Sequence, residues 1–284
     1  MVRLAIDLRI AFGAAARQTS IGLAIACVLA VTSSAAAKGW PTPAAGPSAS
    51  GDPEILFTFD DGPSPVHTPK VLDLLKKHHI KAVFFMVGEM AESGNKKVPA
   101  ILQRIVREGH VIANHTMTHA DLCRVKEAKA VAEIDDGKAA IERASGMPLV
   151  WFRAPFGVRC DRLEAELAER NTQHMHWDFD PQEWKHGDKA KTVDYVTGSL
   201  ARSSARNVLL LHDIKAVTVE ALPEILSWLD AENVRRAKEG KRPIRVVQAP
   251  ALAVEQFPKG LTTWAGDVLD RMRGVRADLA RVLP

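Results

Sequence analysis

Short apolar runs alternate with longer amphipathic stretches along most of this chain. The runs at 54–59, 82–87, 110–114, 149–152, 173–177, 208–211 and 244–247 are too short for helices and read as buried strands. Between them, apolar positions recur at helical spacing over 69–79, 98–108, 126–144, 162–170, 193–203 and 219–238. Thr68 is the expected N-cap of the first helix, with Pro69 in its first turn, and Gly109 is the expected stop of the second. Alternation repeated seven times implies parallel strands with helical crossovers. Polar residues fall just after the strands, at Asp60/Asp61, His115, Arg153, Asp180 and His212. In an open sheet those five ends would be spread too far apart to share a site, whereas in a barrel they converge on one mouth. The expected fold is therefore α/β, a distorted seven-stranded TIM-like (β/α) barrel. A last amphipathic helix follows from Leu261, with Trp264, Val268, Leu269, Met272, Val275 and Leu279 on one face against the barrel exterior.

The ends of the chain differ from its middle. Residues 1–37 combine an arginine-bearing start, an apolar run from Ile21 to Val31 and the small residues Ala35-Ala36-Ala37, which is the pattern of an export signal cleaved near Ala37. The apolar run is short for a stable membrane anchor; the long stretch before it makes an uncleaved anchor the rival reading. Residues 38–53 are rich in Pro, Ala, Ser and Gly and read as a linker, 54–250 as the main domain, and 251–284 as a helical extension. The expected location is the periplasm or beyond. Arg3, Arg9, Arg17 and Asp7 carry a net +2 of the formal +4, so the remaining +2 gives no reason to expect nucleic acid. Nothing predicts stable membrane insertion after processing, and the default oligomeric state is a monomer. In an oxidising compartment Cys123 and Cys160 could be joined if their loops share the barrel mouth; otherwise they are two unpaired cysteines.

The candidate chemistry lies in Asp60-Asp61-Gly62-Pro63 and His115-Thr116-Met117-Thr118-His119. On a helical turn, positions i and i+4 share a face roughly 6 Å apart, so two such imidazoles can grip one metal. At a strand end, neighbouring aspartates alternate, so one can face the metal while the other does acid–base work. Each motif alone is common; a lone HxxxH is usually structural. His174 and His176 share a strand face and read as packing or loop residues.

Five segments in order, over about residues 54–250, make the chain resemble the polysaccharide deacetylases, the NodB-like domain of carbohydrate esterase family four. They are Thr58-Phe59-Asp60-Asp61-Gly62, His115 to His119, Arg153-Ala154-Pro155-Phe156-Gly157, Asp180-Pro181-Gln182-Glu183-Trp184, and Leu209-Leu210-Leu211-His212-Asp213. The resemblance implies Asp60 as catalytic base, Asp61, His115 and His119 as metal ligands, and Arg153 as the group that holds the base. It implies His212 as general acid, the Phe156 backbone N–H at the oxyanion, and Asp180, Trp184 and Leu210 in the substrate pocket. Glu183 departs from the family pattern, which has Asp there; the resemblance implies a carboxylate that tunes His212, and the extra methylene leaves two readings, that Glu183 does so with a changed histidine pKa or that it reaches past His212.

Hydrolysis of an N-acetyl amide needs an activated water, a stabilised oxyanion and a proton for the departing nitrogen. Two imidazoles and a carboxylate suit Zn²⁺, and also accommodate Co²⁺, Ni²⁺ or Fe²⁺. The expected activity is exported, metal-dependent N-deacetylation of an N-acetylated polysaccharide: peptidoglycan, a chitin oligomer or an exopolysaccharide. The alternatives are an O-acetyl esterase on xylan-type chains and a carbohydrate-binding relative without turnover.

Overall fold

The computed structural model describes residues 52–256. The leader, nearly all of the linker and the amphipathic stretch from Leu261 lie outside the described residues. Seven strands form one sheet: β1 (Glu54–Asp60), β2 (Val83–Met86), β3 (Val111–Asn114), β4 (Trp151–Phe152), β5 (Gln173–His174), β6 (Arg206–His212) and β7 (Arg245–Val246). The helices are α1 (Thr68–Lys77), α2 (Gly88–Ala91), α3 (Val98–Arg107), α4 (Glu127–Ser145), α5 (Asp161–Glu169), α6 (Glu183–His186), α7 (Lys189–Arg202), α8 (Ala216–Lys238) and α9 (Ala249–Gln256). All strand pairings are parallel, in the order β5-β4-β3-β2-β1-β6, as crossover helices require.

The distortion has two parts. β7 pairs with the first residues of β1, at Glu54 and Ile55, while β2 pairs with its last, from Thr58 to Asp60. The seam between β5 and β6 is bridged by an isolated parallel pair, Phe179 opposite Leu209. Asp178 and Phe179 N–H both donate to Val208 O there, and Leu210 N–H donates back to Phe179 O.

Strand periodicity of two then sorts the side chains. Ile55, Phe57 and Phe59 of β1 face outward into the layer of helices, with Leu72, Leu102, Ile225 and Leu226. Leu56 faces inward, packed in one cluster with Val83, Phe85, Val111, Ala113, Trp151 and Val208. Continuing each inner column by two residues at a time leads from Leu56 to Thr58 and Asp60, and from Val208 to Leu210 and His212. The same step leads from Ala113 to His115 and from Trp151 to Arg153. The barrel interior is thus apolar at one end and polar at the other. α9 seals the apolar end: Ala249, Leu252 and Ala253 belong to the inner cluster, and Trp151 Nε1–H donates to Gln256 Oε1 at 3.1 Å.

Two local expectations fail. Thr68 does not cap α1; its hydroxyl accepts Ser64 N–H at 2.7 Å and donates to the buried Asp213 carboxyl, and His67 occupies the cap position. α7 begins four residues earlier than expected because Asp188 caps it, accepting Lys191 N–H at 3.1 Å.

Candidate active site

Asp61, His115 and His119 each bring a ligand atom within 4.8 Å of the others. The backbone reaches this arrangement by a different route from the one the spacing suggested. His115 to His119 is not helical: Thr116 and His119 are left-handed, at φ 70° and 62°. The segment is a loop moulded onto α4. Thr118 donates both its N–H and its hydroxyl to the Glu133 carboxylate, at 2.7 and 2.6 Å, and Met117 N–H donates to Glu133 O at 2.9 Å. One turn later Gly137 lies directly under the loop; a Cβ there would sit 2.5 Å from Thr116 C and 2.6 Å from Met117 N. Gly137→Ala is therefore expected to push the two histidines apart. It should weaken zinc binding at least tenfold in a chelator-competition titration and lower stability by roughly 1–3 kcal/mol, the usual cost of overpacking.

Asp61 also departs from simple strand alternation. Its φ of 74° turns the carboxylate back over the mouth, so both aspartates face the same cleft. Its Oδ1 is 3.2 Å from His119 Nε2 and 3.5 Å from His115 Nε2, yet it is buried with no aligned hydrogen bond. Three donor atoms aimed at a common point rather than at each other fit a shared cation. His115 supports this fit, since its Nδ1 lies 2.7 Å from Arg153 O; a carbonyl only accepts, so the proton sits on Nδ1 and the Nε2 lone pair is free. Burial works against a charged Asp61, but its contacts with His115 and His119 outweigh burial and hold the carboxyl well below the usual range, in the ionised form a metal requires.

Asp60 is held from behind. Arg153, fully buried, donates from Nη1 to Asp60 Oδ1 at 2.7 Å and to the Thr58 hydroxyl at 2.8 Å. Its other nitrogens are committed to Met175 O and His176 O, and its guanidinium stacks 4.0 Å over Phe85. With Oδ1 so engaged, Asp60 presents Oδ2, which is 3.7 Å from His115 Nε2. His212 stands directly opposite Asp60 in the β1–β6 register. Its Nδ1 is 2.9 Å from Glu183 Oε1, which also accepts His212 N–H at 2.8 Å and the Thr218 hydroxyl at 3.2 Å. Burial disfavours a charged imidazole here, but the Glu183 contact prevails and raises the His212 pKa. The longer side chain of Glu183 thus reaches His212 from the first residue of α6.

The cleft has a volume of about 170 Å³. Phe156, Asp180, Trp184 and Leu210 line it together with Asp60, Asp61 and the three histidines. Arg153 and Glu183 stand behind it, at the backs of Asp60 and His212. Phe156 has a left-handed φ of 60° and is 68% exposed, with its ring edge-on to His119 at 4.7 Å. Trp177 and Lys215 also line the cleft and were not singled out from the sequence, although Trp177 ends the strand expected at 173–177 and Lys215 closely follows the one expected at 208–211.

His174 and His176 do more than pack. His174 Nε2 accepts Ala154 N–H at 3.2 Å while Nδ1 meets Glu164 at 2.9 Å, and His176 Nε2 donates to Gly157 O at 3.1 Å. Together they grip both ends of the turn that carries Phe156. Burial pushes the His176 pKa down to about 4, so it is neutral in this role. Cys123 and Cys160 are joined in a disulfide, with Cα atoms 6.0 Å apart, linking the segment after His119 to the segment after Phe156.

With this geometry in place, the comparisons with known proteins are informative. The polysaccharide deacetylase family model matches residues 48–174. A chitooligosaccharide deacetylase of Sinorhizobium fredii is 37% identical over 167 residues, 58% of this chain and 74% of that protein. A peptidoglycan-N-acetylglucosamine deacetylase of Bacillus cereus is 36% identical over 186 residues, 64% of this chain and 65% of that one. Among solved structures, a family 4 carbohydrate esterase from Streptomyces lividans in complex with acetate superposes with a TM-score of 0.57 at 28% identity, covering 67% of this chain and 91% of that one. The chain belongs to the polysaccharide deacetylase family.

Proposed function

We propose that this protein is an exported, metal-dependent N-deacetylase acting on an N-acetylhexosamine polymer, with residues 54–250 as the catalytic domain behind a leader at 1–37. The observation that carries the proposal is the pairing of Asp60 and His212 across one cleft, beside the Asp61–His115–His119 cluster. Each of the two is fixed from behind by a group of opposite charge. Asp61, His115 and His119 would hold a divalent ion, Zn²⁺ by ligand type, which would supply Lewis-acid polarisation and lower the pKa of water. Asp60 takes the proton of the attacking water at Oδ2, because Oδ1 is bonded to Arg153. The left-handed turn at Phe156 offers its N–H to the developing oxyanion. His212 gives a proton from Nε2 to the departing nitrogen, with Nδ1–H donated to Glu183. An ester leaves without needing that proton, so the charged His212–Glu183 pair favours the amide over O-acetyl xylan. Leu210 and Trp177 supply apolar wall for the acetyl methyl, and Trp184, 48% exposed, a face for a sugar ring.

Export is supported by the leader pattern and by the disulfide, which suits an oxidising compartment. Among the described residues no helix is long and apolar enough to cross a membrane. The test is acetate release, with added zinc, from peptidoglycan sacculi, an N-acetylglucosamine pentamer and acetylated xylan. Release from an amide polymer is expected; release from xylan alone would replace this reading with the esterase.

Glu183 makes a separate prediction. Glu183→Asp shortens the arm to His212 by one methylene, weakening the contact that raises its pKa. The acid form of His212 is lost as pH rises through that pKa, so the basic limb of the activity profile should move to lower pH while peak activity stays within tenfold. An unchanged pH–rate profile would show that Glu183 does not tune His212.

A further inference from the structure

Lys215 lies in the wall of the cleft three residues beyond His212, as the residue preceding α8, with its backbone N–H donated to His212 O at 3.2 Å. It is half-buried, and among the described residues its ammonium has no carboxylate partner. The carboxylates of the cleft face other groups: Asp60 is bonded to Arg153, Asp61 lies beside the two histidines, and Asp180 accepts Gln182 N–H at 2.8 Å. Behind the wall, Glu183 is bonded through Oε1 to His212 and Thr218, and its Oε2 is buried. Lys215 is thus a spare cation on the substrate side of the site.

Its neighbourhood says where on the substrate its counter-charge would lie. Glu183 bonds both to Thr218, in the first turn of α8, and to His212, so it pins α6 beside the segment that carries Lys215. Trp184, the next residue of α6, is exposed, with its ring 6.2 Å from that of His212. An aromatic face for a pyranose and an unpaired ammonium therefore flank the acid side of the cleft together.

We propose that Lys215 is a specificity-determining residue, and that the subsite on the His212 side takes a sugar bearing a carboxylate next to the reacting N-acetylhexosamine. This rests on the deacetylase reading above and narrows its substrate to an anionic polymer. The carboxylate can be a lactyl ether on a hexosamine or the C6 acid of a uronic acid, and both present the same charge to the ammonium. A lysine acts as a point charge on a long stem, so it rewards the anion without demanding one fixed geometry. A neutral sugar leaves the ammonium in water and costs nothing, so selectivity arises as a gain on anionic chains.

The test uses the full-length, zinc-loaded protein and matched substrates. One pair is an oligosaccharide alternating N-acetylglucosamine with glucuronic acid, and its methyl ester; the other is peptide-free peptidoglycan glycan strands, whose lactyl carboxylates are free, against an N-acetylglucosamine pentamer. Lys215→Met, which keeps the stem, should lower kcat/KM about fivefold on at least one carboxylate substrate and less than twofold on the ester and the pentamer. Added salt should erase the difference. Which acid substrate responds tells the uronate from the lactyl group. Equal loss on charged and neutral chains, or no loss on any, overturns the proposal. Calorimetric binding of the acid and ester forms judges Lys215 without turnover. If wild type releases acetate from none of these chains, the deacetylase reading falls. Lys215 then stands only if wild type binds an acid form several-fold more tightly than Lys215→Met does, and equal binding overturns it.

Discussion

Asp60→Asn should lower kcat by about 10²- to 10⁴-fold, the usual worth of a general base, while zinc affinity stays within several-fold. The two effects separate because Asp60 and Asp61, adjacent in sequence, face different partners. Asp61 Oδ1 is near both imidazole nitrogens, at 3.2 and 3.5 Å, whereas Asp60 gives Oδ1 to Arg153 and stands 3.7 Å from His115 through Oδ2. An asparagine oxygen can still accept from Arg153, which preserves the local packing, but the amide cannot take a proton at neutral pH. It also removes the carboxylate bonded to the fully buried guanidinium, so the melting temperature should fall as well. Chelator-competition titration beside single-turnover acetate release measures both arms. Equal loss of metal and of turnover would show that the roles of Asp60 and Asp61 have been divided wrongly.

His119→Ala should abolish stoichiometric zinc binding and all metal-dependent turnover, with little harm to the fold. Two ligands from one carboxylate and one imidazole do not hold a divalent ion against competition from water and buffer. The fold should tolerate the change because the His119 side chain is about one-third exposed, at 32%, and lies in a loop rather than in the barrel. His115 offers no such clean experiment: its ring is buried and bonded to Arg153 O, so its removal disturbs the group that holds Asp60. Zinc content of the purified variant, read by elemental analysis alongside circular dichroism, decides the matter. Zinc retained at one equivalent in a folded His119→Ala would rule out this ligand set.

The barrel strands could be read from the chain because each is a short buried run with a polar residue at its end. The seven expected strands coincide with β1 to β7 to within a few residues. What remained hidden depended on contacts far apart in sequence. The spacing of His115 and His119 suggested a helix, yet the loop takes its shape from Glu133 and Gly137, which belong to a helix that begins only at Glu127. Nothing local to His115–His119 encodes that mould. Asp61 was expected to alternate with Asp60, but the chain bends at Asp61, which is left-handed, and Gly62 then passes so close to the Asp213 carboxylate that a Cβ would not fit. Thr68 was read as a cap because its partner Asp213 is 145 residues away. His174 and His176 had no visible partners for the same reason: Glu164, Ala154 and Gly157 come to them only when β4 and β5 pair. The short α6 escaped notice because a single turn carries too little periodicity, and with it the path by which Glu183 reaches His212.

The inner column of β1 bears on how this site can fail. Leu56, Thr58 and Asp60 share one face, and the outward residues between them are Phe57 and Phe59. A slip of one residue would carry phenylalanine into the mouth and aspartate into the helix layer, a swap that no small relaxation could absorb. The address of Asp60 is therefore stored in the packing of the barrel rather than in any adjustable loop. Heat or denaturant should then leave no partly active intermediate on the Asp60 side: catalysis and the barrel ought to vanish at a single midpoint.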